Sequence, residues 1–122
     1  WVRDHLDNSA NGKDVSLFET TIRSLGGLLS AYDWSGDSAF LEKAEDLGER
    51  LAHAFKTETG IPNSQINLVN HRNSNPGWTG GKTNIAEAGT LQIEFRYLAH
   101  VSGKPEYAEK ADVVFNTLYK MR

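Results

Sequence analysis

The chain has 122 residues, no cysteine and a formal net charge of −3 at pH 7, from 13 basic and 16 acidic side chains. A mildly acidic chain without a basic run excludes nucleic acid and anionic membrane surfaces as expected partners, and the missing cysteines exclude a disulfide scaffold and a thiolate zinc site. With 39% hydrophobic residues the chain is too apolar to be disordered. Because it starts at Trp1 and not at a methionine, we expect it to be a piece of a longer protein.

The first two predicted helices form a pair joined by a tight turn. Apolar residues spaced three and four positions apart after Ser16 predict a first helix with one apolar stripe. The stripe consists of Phe18, Ile22, Leu25, Leu29 and Tyr32. Gly36 and Asp37 end this helix and open the second. The stripe of the second helix consists of Phe40, Ala44, Leu47, Leu51 and Phe55.

A long polar stretch, residues 56–82, separates this pair from a second pair of helices. Its length predicts a functional segment, because structureless loops of this size are uncommon in compact domains. The third helix is predicted to start near Asn84 and to end at Gly103, and Pro105 opens the fourth. The apolar stripes of these two helices contain Ile85, Ala88, Leu91, Phe95, Leu98, Tyr107, Ala111, Val114 and Leu118.

The two helix pairs repeat each other. Residues 35–44 align with residues 102–111 at an offset of 67 positions, with matching Ser, Gly, Glu, Lys and Ala. This repeat predicts an all-α fold of αα-hairpins, which stack into solenoids or close into an (α/α) toroid. We expect one partial domain over residues 1–122, with a first hairpin at about 15–55, the long loop at 56–82 and a second hairpin at about 83–121.

Glu19 is the first candidate for chemistry. It follows Ser16 by three positions, which is the spacing of a capping box at a helix start. Arg23 lies one helical turn further on, so an ion pair is another structural explanation for the same carboxylate.

Glu87 is the second candidate, and it lies in the first turn of the third helix, three positions after Asn84. If the two repeats are equivalent in structure, Glu19 and Glu87 emerge at the same rim, beside the long loop. Two acids in such a place suit general acid–base work on a neutral polar substrate such as a sugar.

The histidines show no metal-binding spacing, and His71 is the best functional candidate among them because it lies on the long loop. Trp78 follows a turn sequence, and it either stacks on a sugar face or packs the loop down. Trp1 and Trp34 are expected to be packing residues.

Residues 15–23 read Val-Ser-Leu-Phe-Glu-Thr-Thr-Ile-Arg. This segment closely resembles a signature of the class I α-1,2-mannosidases, glycoside hydrolase family 47. The resemblance continues through residues 25–32, 35–37, 40–44, 60–62, 67–68, 78–81 and 86–95. The family fold is a toroid of αα-hairpins, several times longer than this chain, so the resemblance implies an N-terminal part of the catalytic domain.

The resemblance also implies an activity. The family removes terminal α-1,2-linked mannose from high-mannose N-glycans with inversion. Glu19 matches its general acid, Arg23 matches a substrate-contacting arginine, and Glu87 matches an acidic residue of the same sugar pocket.

A bound calcium ion is implied too, but its ligand and the catalytic base lie downstream in the family, so we expect this fragment alone to be inactive. The family implies a parent protein in the secretory pathway, in the endoplasmic reticulum or Golgi, or secreted. Any membrane anchor would lie outside this segment.

Two other functions fit parts of the sequence. A lectin-like mannosidase homologue of glycoprotein quality control shares the Phe-Glu-Thr-x-Ile-Arg segment, and a non-catalytic helical-repeat scaffold would use Glu19 and Glu87 only as caps. Residues 35–37 and 86–90 favour the trimming enzymes. Departures from the family at His53 and Asn63 affect the expected loop shape and branch preference, not the chemistry.

Overall fold

The computed structural model describes residues 1–121, and these are mostly helical. The α-helices within them are α1 Val2–His5, α2 Leu17–Thr20, α3 Gly26–Ser35, α4 Ser38–Ala52, α5 Ile85–Ala88, α6 Gln92–Ser102 and α7 Glu106–Lys120. The strands are β1 Asp14–Ser16, β2 Gln65–Asn67 and β3 Asn73–Ser74, and 3₁₀ turns cover His53–Phe55 and Gly77–Thr79. Helix α3 packs on α4, α6 packs on α7, and α4 lies against α6 between the two pairs.

A π-helical segment, Thr21–Leu25, joins α2 to α3. The N–H of Gly26 reaches the carbonyl of Thr21 five residues back, which makes a wider turn than an α-helix has. Consequently Thr21 and Leu25 are fully buried, whereas Ile22 is 37% exposed. The predicted position of Ile22 on the apolar stripe is wrong. That prediction assumes 3.6 residues per turn, whereas the π-helical turn is wider and rotates Ile22 towards the surface.

A small three-stranded antiparallel sheet corrects the all-α prediction. Strand β2 lies in the middle and pairs with β1 and with β3, with Val15 opposite Ile66 in the first pair. The sheet therefore fastens the long loop to the segment that leads into α2. Strands of two or three residues are too short to carry an alternating pattern, which is why the sequence did not predict them.

The predicted turn between α3 and α4 is confirmed. Gly36 has a φ of 69°, a left-handed conformation that glycine adopts without steric cost. The carboxylate of Asp37 accepts a hydrogen bond from the N–H of Ala39 at 2.9 Å and so caps α4. The predicted end of the third helix is confirmed as well, since α6 stops before Gly103, whose φ is 70°.

The third helix is predicted as continuous, but the structure divides it into α5 and α6. The hydroxyl of Thr90 donates a hydrogen bond to the carbonyl of Ala86 at 2.7 Å. Such side-chain bonds compete with the backbone bonds of a helix, and Gly89 beside it is a weak helix former. Glu87 therefore lies on a short helix of its own, Ile85–Ala88.

The core lies where the faces of the long helices meet. Its largest fully buried side chains include Leu25, Leu47, Leu51, Phe95, Leu98 and Val114. The ring of Phe95 lies between those of Phe55 and Tyr107, with centroid distances of 5.1 Å and 6.3 Å. These residues come from both predicted hairpins, so the two pairs share one core.

Three tryptophans lie at the surface. Trp1 and Trp78 are each 80% exposed, and Trp34 is 92% exposed. The prediction that Trp1 and Trp34 pack against the fold is therefore wrong for these residues. None of the helices in residues 1–121 combines the length and the apolar character needed to cross a membrane.

Candidate active site

Glu19 lies in the first turn of α2. The hydroxyl of Ser16 accepts a hydrogen bond from the N–H of Glu19 at 3.2 Å, which satisfies one of the free N–H groups at the helix start. Of the two hydrogen bonds of the predicted capping box, the structure therefore has the one accepted by the Ser16 hydroxyl. It fixes the backbone at Glu19 and leaves the carboxylate available for other partners.

The carboxylate of Glu19 forms an ion pair with Arg23. The contact joins Oε2 of Glu19 to Nε of Arg23, one turn along the helix. The side chain of Glu19 is 48% exposed and that of Arg23 is 75% exposed, so the pair contributes at most about 0.5 kcal/mol to stability. It places a carboxylate and a guanidinium side by side at the surface, where both can meet a polar ligand.

Glu87 is half-buried on the short helix α5. The side chain of Asn84 caps this helix by accepting a hydrogen bond from the N–H of Ala86 at 2.9 Å. No side chain within residues 1–121 forms a hydrogen bond or an ion pair with the carboxylate of Glu87. Unlike Glu19, this carboxylate has its bonding capacity unused.

The starts of α2 and α5 meet at one shallow recess, which has room for no more than about one water molecule in this fragment. It is lined by Leu17, Phe18, Pro62, Asn63, Ser64, Thr83, Glu87, Ala88 and Leu91. Glu19 directly follows Phe18 in α2, while Glu87 is in the wall itself. The starts of the two helices that carry the predicted acids therefore both line this recess, while the side chain of Glu19 does not.

Hydrogen bonds from the long loop hold the two helix starts together. The N–H of Leu17 donates to the carbonyl of Ser64 at 2.8 Å, and the hydroxyl of Thr83 donates to the carbonyl of Pro62 at 2.8 Å. Oδ1 of Asn75 accepts from the N–H of Ser64 at 2.8 Å and from the hydroxyl of Thr83 at 3.1 Å. The loop thus acts as a brace across the recess.

Ser64 is a residue that the sequence did not single out. It is only 8% exposed, and its Oγ has no hydrogen-bond partner within the described chain. Both of its backbone groups are bonded, the carbonyl to Leu17 and the N–H to Asn75. A buried hydroxyl fixed in the wall beside Glu87 is a further polar group of the recess, and a serine in a polar loop carries no pattern that would reveal it.

His71 does not line this recess. Its ring stacks on that of His53, with centroids 4.0 Å apart and planes 11° from parallel. Burial, and after it the charge of His71, lowers the pKa of His53 below the usual histidine value. Trp78 lies on the exposed 3₁₀ turn Gly77–Thr79 and does not pack the loop down.

A metal centre does not form from these residues. Within residues 1–121, no group of three or more His, Cys, Asp or Glu side chains is arranged to hold a metal ion. Glu19 and Glu87, the two candidate acids, do not by themselves supply the six to eight oxygen ligands that calcium takes.

Comparisons with known proteins show the family to which the chain belongs. The sequence model of glycosyl hydrolase family 47 matches residues 1–122, and the chain belongs to that family. It is 50% identical over 121 residues to a mannosyl-oligosaccharide 1,2-alpha-mannosidase of Arabidopsis thaliana, covering 98% of this chain. It is also 50% identical over 114 residues to the endoplasmic reticulum mannosyl-oligosaccharide 1,2-alpha-mannosidase of Homo sapiens, covering 93% of this chain.

The fold matches a solved structure of the same class. An alpha-1,2-mannosidase from Trichoderma reesei superposes with a TM-score of 0.81 at 32% identity, over 93% of this chain. The chain spans only 26% of that structure, and 21% and 16% of the Arabidopsis and human relatives. It therefore corresponds to about a fifth of the length of the relatives it matches.

Proposed function

We propose that this chain is part of a mannosyl-oligosaccharide 1,2-alpha-mannosidase that hydrolyses terminal α-1,2-linked mannose of high-mannose N-glycans with inversion. The observation that carries the proposal is the meeting of two helix starts at one recess, one bearing the Glu19–Arg23 pair and the other bearing Glu87. Relatives at 41–50% identity are named as 1,2-alpha-mannosidases, which supports the substrate class.

Glu19 is the general acid in this proposal. Arg23 engages Oε2, and Oε1 has no hydrogen-bond partner among residues 1–121. A proton carried on Oε1 can pass to the glycosidic oxygen as the bond to the anomeric carbon breaks. The leaving sugar then departs as a neutral alcohol and not as an alkoxide. The cap from Ser16 keeps the backbone of Glu19 in place during this transfer.

Arg23 and Glu87 bind the sugar. A pyranose presents hydroxyl groups that both donate and accept hydrogen bonds. The guanidinium of Arg23 only donates hydrogen bonds, and the carboxylate of Glu87 only accepts them. Together they can therefore satisfy both the acceptor and the donor capacity of sugar hydroxyl groups. The unused carboxylate of Glu87 and its half-buried position support this role.

Inversion needs a second carboxylate to activate water, about 6.5–9.5 Å from the acid. We assign neither this base nor a calcium ligand to residues 1–121, and no step proposed for Glu19, Arg23 or Glu87 runs through calcium. In the proposal both belong to other parts of the family fold, so the 122-residue chain alone does not release mannose.

The hairpins at about 15–55 and 83–121, joined by the loop at 56–82, are proposed to be part of an (α/α) toroid. Four buried side-chain atoms support this, because they have no hydrogen-bond partner within the described chain, whereas buried polar atoms in complete folds nearly always have one. They are Thr21 Oγ1, Ser64 Oγ, Gln92 Oε1 and Glu94 Oε2. Further helices of the toroid would supply the missing partners.

The partner of the complete protein is a high-mannose N-glycan, and its place is the secretory pathway. The names of several relatives include the endoplasmic reticulum, which supports the pathway. Residence in the Golgi, secretion and a membrane anchor outside residues 1–122 are compatible forms of the same proposal.

The test replaces Glu19 by Gln in the full-length protein, with Glu42→Gln as the matched control. Glu42 is an exposed glutamate on α4, away from the recess. We expect Glu19→Gln to lower kcat for mannose release by about 10²–10⁴-fold, the usual contribution of a general acid, while glycan binding is retained. Glu42→Gln should leave both unchanged.

The same measurement separates the alternatives. A wild-type protein that binds the glycan without releasing mannose would identify the lectin-like homologue. Unchanged turnover in Glu19→Gln would contradict the proposed acid, and the absence of both binding and turnover in the wild type would favour the helical scaffold.

A further inference from the structure

Two stacked histidine rings fasten the long loop to the end of α4. His53 lies in the 3₁₀ turn that follows α4, and His71 lies in the turn between β2 and β3. Their ring centroids are 4.0 Å apart and their planes are 11° from parallel. His71 has a φ of 61°, a left-handed conformation, and a hydrogen bond from its N–H to the carbonyl of Asn67 at 2.9 Å helps to hold it there.

The side chain of Asn73 connects this stack to the candidate site. Its Nδ2 donates to the carbonyl of His71 at 3.1 Å and to that of His53 at 3.4 Å. Its Oδ1 accepts from Nδ2 of Asn63 at 2.7 Å, and Asn63 lines the recess beside Glu87. A continuous series of contacts therefore runs from the two rings to the wall of the recess.

We propose that His53 and His71 form a pH-sensitive clasp, which holds the β2–β3 arm of the loop against α4 while at most one ring is protonated and releases it when both are. One imidazolium on a neutral ring is an acceptable cation–π contact. Two imidazolium rings at 4.0 Å repel each other strongly in a partly buried place. The second proton is therefore taken up only if the rings separate.

The surroundings of the clasp do little to offset this repulsion. Lys56 and Lys110 oppose protonation of His53, and Glu49 on α4 is the acidic group that favours it. The other titratable groups around the recess next to His53 are Lys104, Glu106 and Tyr107. Burial is the largest cause that lowers the pKa of His53, followed by the charge of His71.

On the loop side, the acid that contacts this arm is Asp14 of β1, whose carboxylate accepts a hydrogen bond from Nδ2 of Asn67 at 3.1 Å. The side chains of β2 and β3 are uncharged, and the charged neighbour of His71 in the turn is the exposed Arg72. Lys104 is already paired with Glu45 at 2.5 Å. The acids and bases around the clasp are therefore close to balanced, and they leave the repulsion between two imidazolium rings in place.

The sign of the pH effect follows from the direction of the pKa change. Since folding lowers the pKa of His53, its contribution to the stability of the clasp is complete above the unfolded value of about 6.5 and is lost as the pH falls below it. The clasp itself does not depend on the proposed function. Only its effect on a bound sugar, through Asn63, rests on that function.

The test is hydrogen–deuterium exchange of the full-length protein, followed by mass spectrometry of peptides that cover residues 65–74. Rates are corrected for intrinsic exchange at about pH 7.5 and about pH 5, on either side of the histidine value. His53→Phe keeps an aromatic stack without a charge, and His71→Asn keeps a residue that tolerates the left-handed backbone but removes the ring. His100→Gln, at an exposed histidine on α6, is the control.

In the wild type and in His100→Gln we expect protection of residues 65–74 to fall about tenfold between the two pH values, because the clasp loses stability as the pH falls. His53→Phe should stay protected at both values, and His71→Asn should be weakly protected at both. Equal wild-type protection at the two pH values, or an unchanged loss in His53→Phe, would overturn the clasp. Neither result bears on Glu19, so the two proposals fail separately.

Discussion

The N–H of Leu17 donates a hydrogen bond to the carbonyl of Ser64 at 2.8 Å. Leu17 is the first residue of α2, two positions before Glu19, and Ser64 lies in the wall beside Glu87. This bond therefore ties the helix that carries the proposed acid to the loop that shapes the recess. The relative position of the two helix starts therefore depends on the loop as well as on the helices.

Asn75 is the residue on which the brace depends most. Its side chain accepts from Ser64 and Thr83, and it donates to the carbonyl of Gly81 at 3.1 Å. Asn75→Ala removes three hydrogen bonds and leaves the buried N–H of Ser64 unsatisfied, so we expect a loss of about 1–3 kcal/mol in the free energy of unfolding. Urea unfolding of the chain measures this, and Asn116→Ala, at an exposed asparagine of α7, should change it by less than about 0.5 kcal/mol.

Ser16 is predicted to stabilise the start of α2. Ser16→Ala removes the acceptor for the N–H of Glu19, and the usual cost of losing such a cap is about 1 kcal/mol. The midpoint of urea unfolding should fall accordingly. Ser30→Ala, at an exposed position inside α3, is the control and should leave stability unchanged or slightly raised, since alanine is the better helix former. A Ser16→Ala variant as stable as the wild type would show that the cap carries no energy.

Two glycines in helices should respond in opposite ways to alanine. A Cβ at Gly48 would lie 2.3 Å from Cδ2 of Leu98, which is fully buried, whereas a Cβ at Gly27 would meet nothing within 4 Å. We expect Gly48→Ala to destabilise the chain by about 1–3 kcal/mol through overpacking. Gly27→Ala should stabilise it by up to about 1 kcal/mol through helix propensity. Thermal unfolding of both variants checks the contact between α4 and α6, and an equal shift in both would contradict it.

The parts of the fold that could be predicted are those with strong local signals. Gly36, Asp37 and Gly103 end or open helices because glycine accepts the left-handed backbone and aspartate caps N–H groups, and both properties are readable from sequence. The sheet and the π-helical segment were not predicted. Pairing of β1 with β2 joins residues far apart in the chain, and nothing in Thr21–Leu25 marks a wider turn.

The sequence predicted some residues of the candidate site and missed others. Glu19 and Glu87 lie in the first turns of helices with recognisable spacing, Arg23 pairs with Glu19 one turn further on, and of the three only Glu87 lines the recess. Ser64 was missed because its importance comes from burial, which no local pattern encodes. The exposure of Trp1 and Trp34 was missed for a related reason, since whether a tryptophan packs depends on tertiary neighbours.

Glu19 is proposed to deliver the proton in glycoside cleavage. The most direct test is the pH dependence of kcat/KM for mannose release by the full-length protein, measured for the wild type, Glu19→Gln and Glu42→Gln. A general acid must be protonated to act, so the wild type and Glu42→Gln should lose activity on the alkaline side, and the residual activity of Glu19→Gln should not show that loss. A Glu19→Gln variant that keeps both the rate and the alkaline limb of the wild type would contradict the assignment.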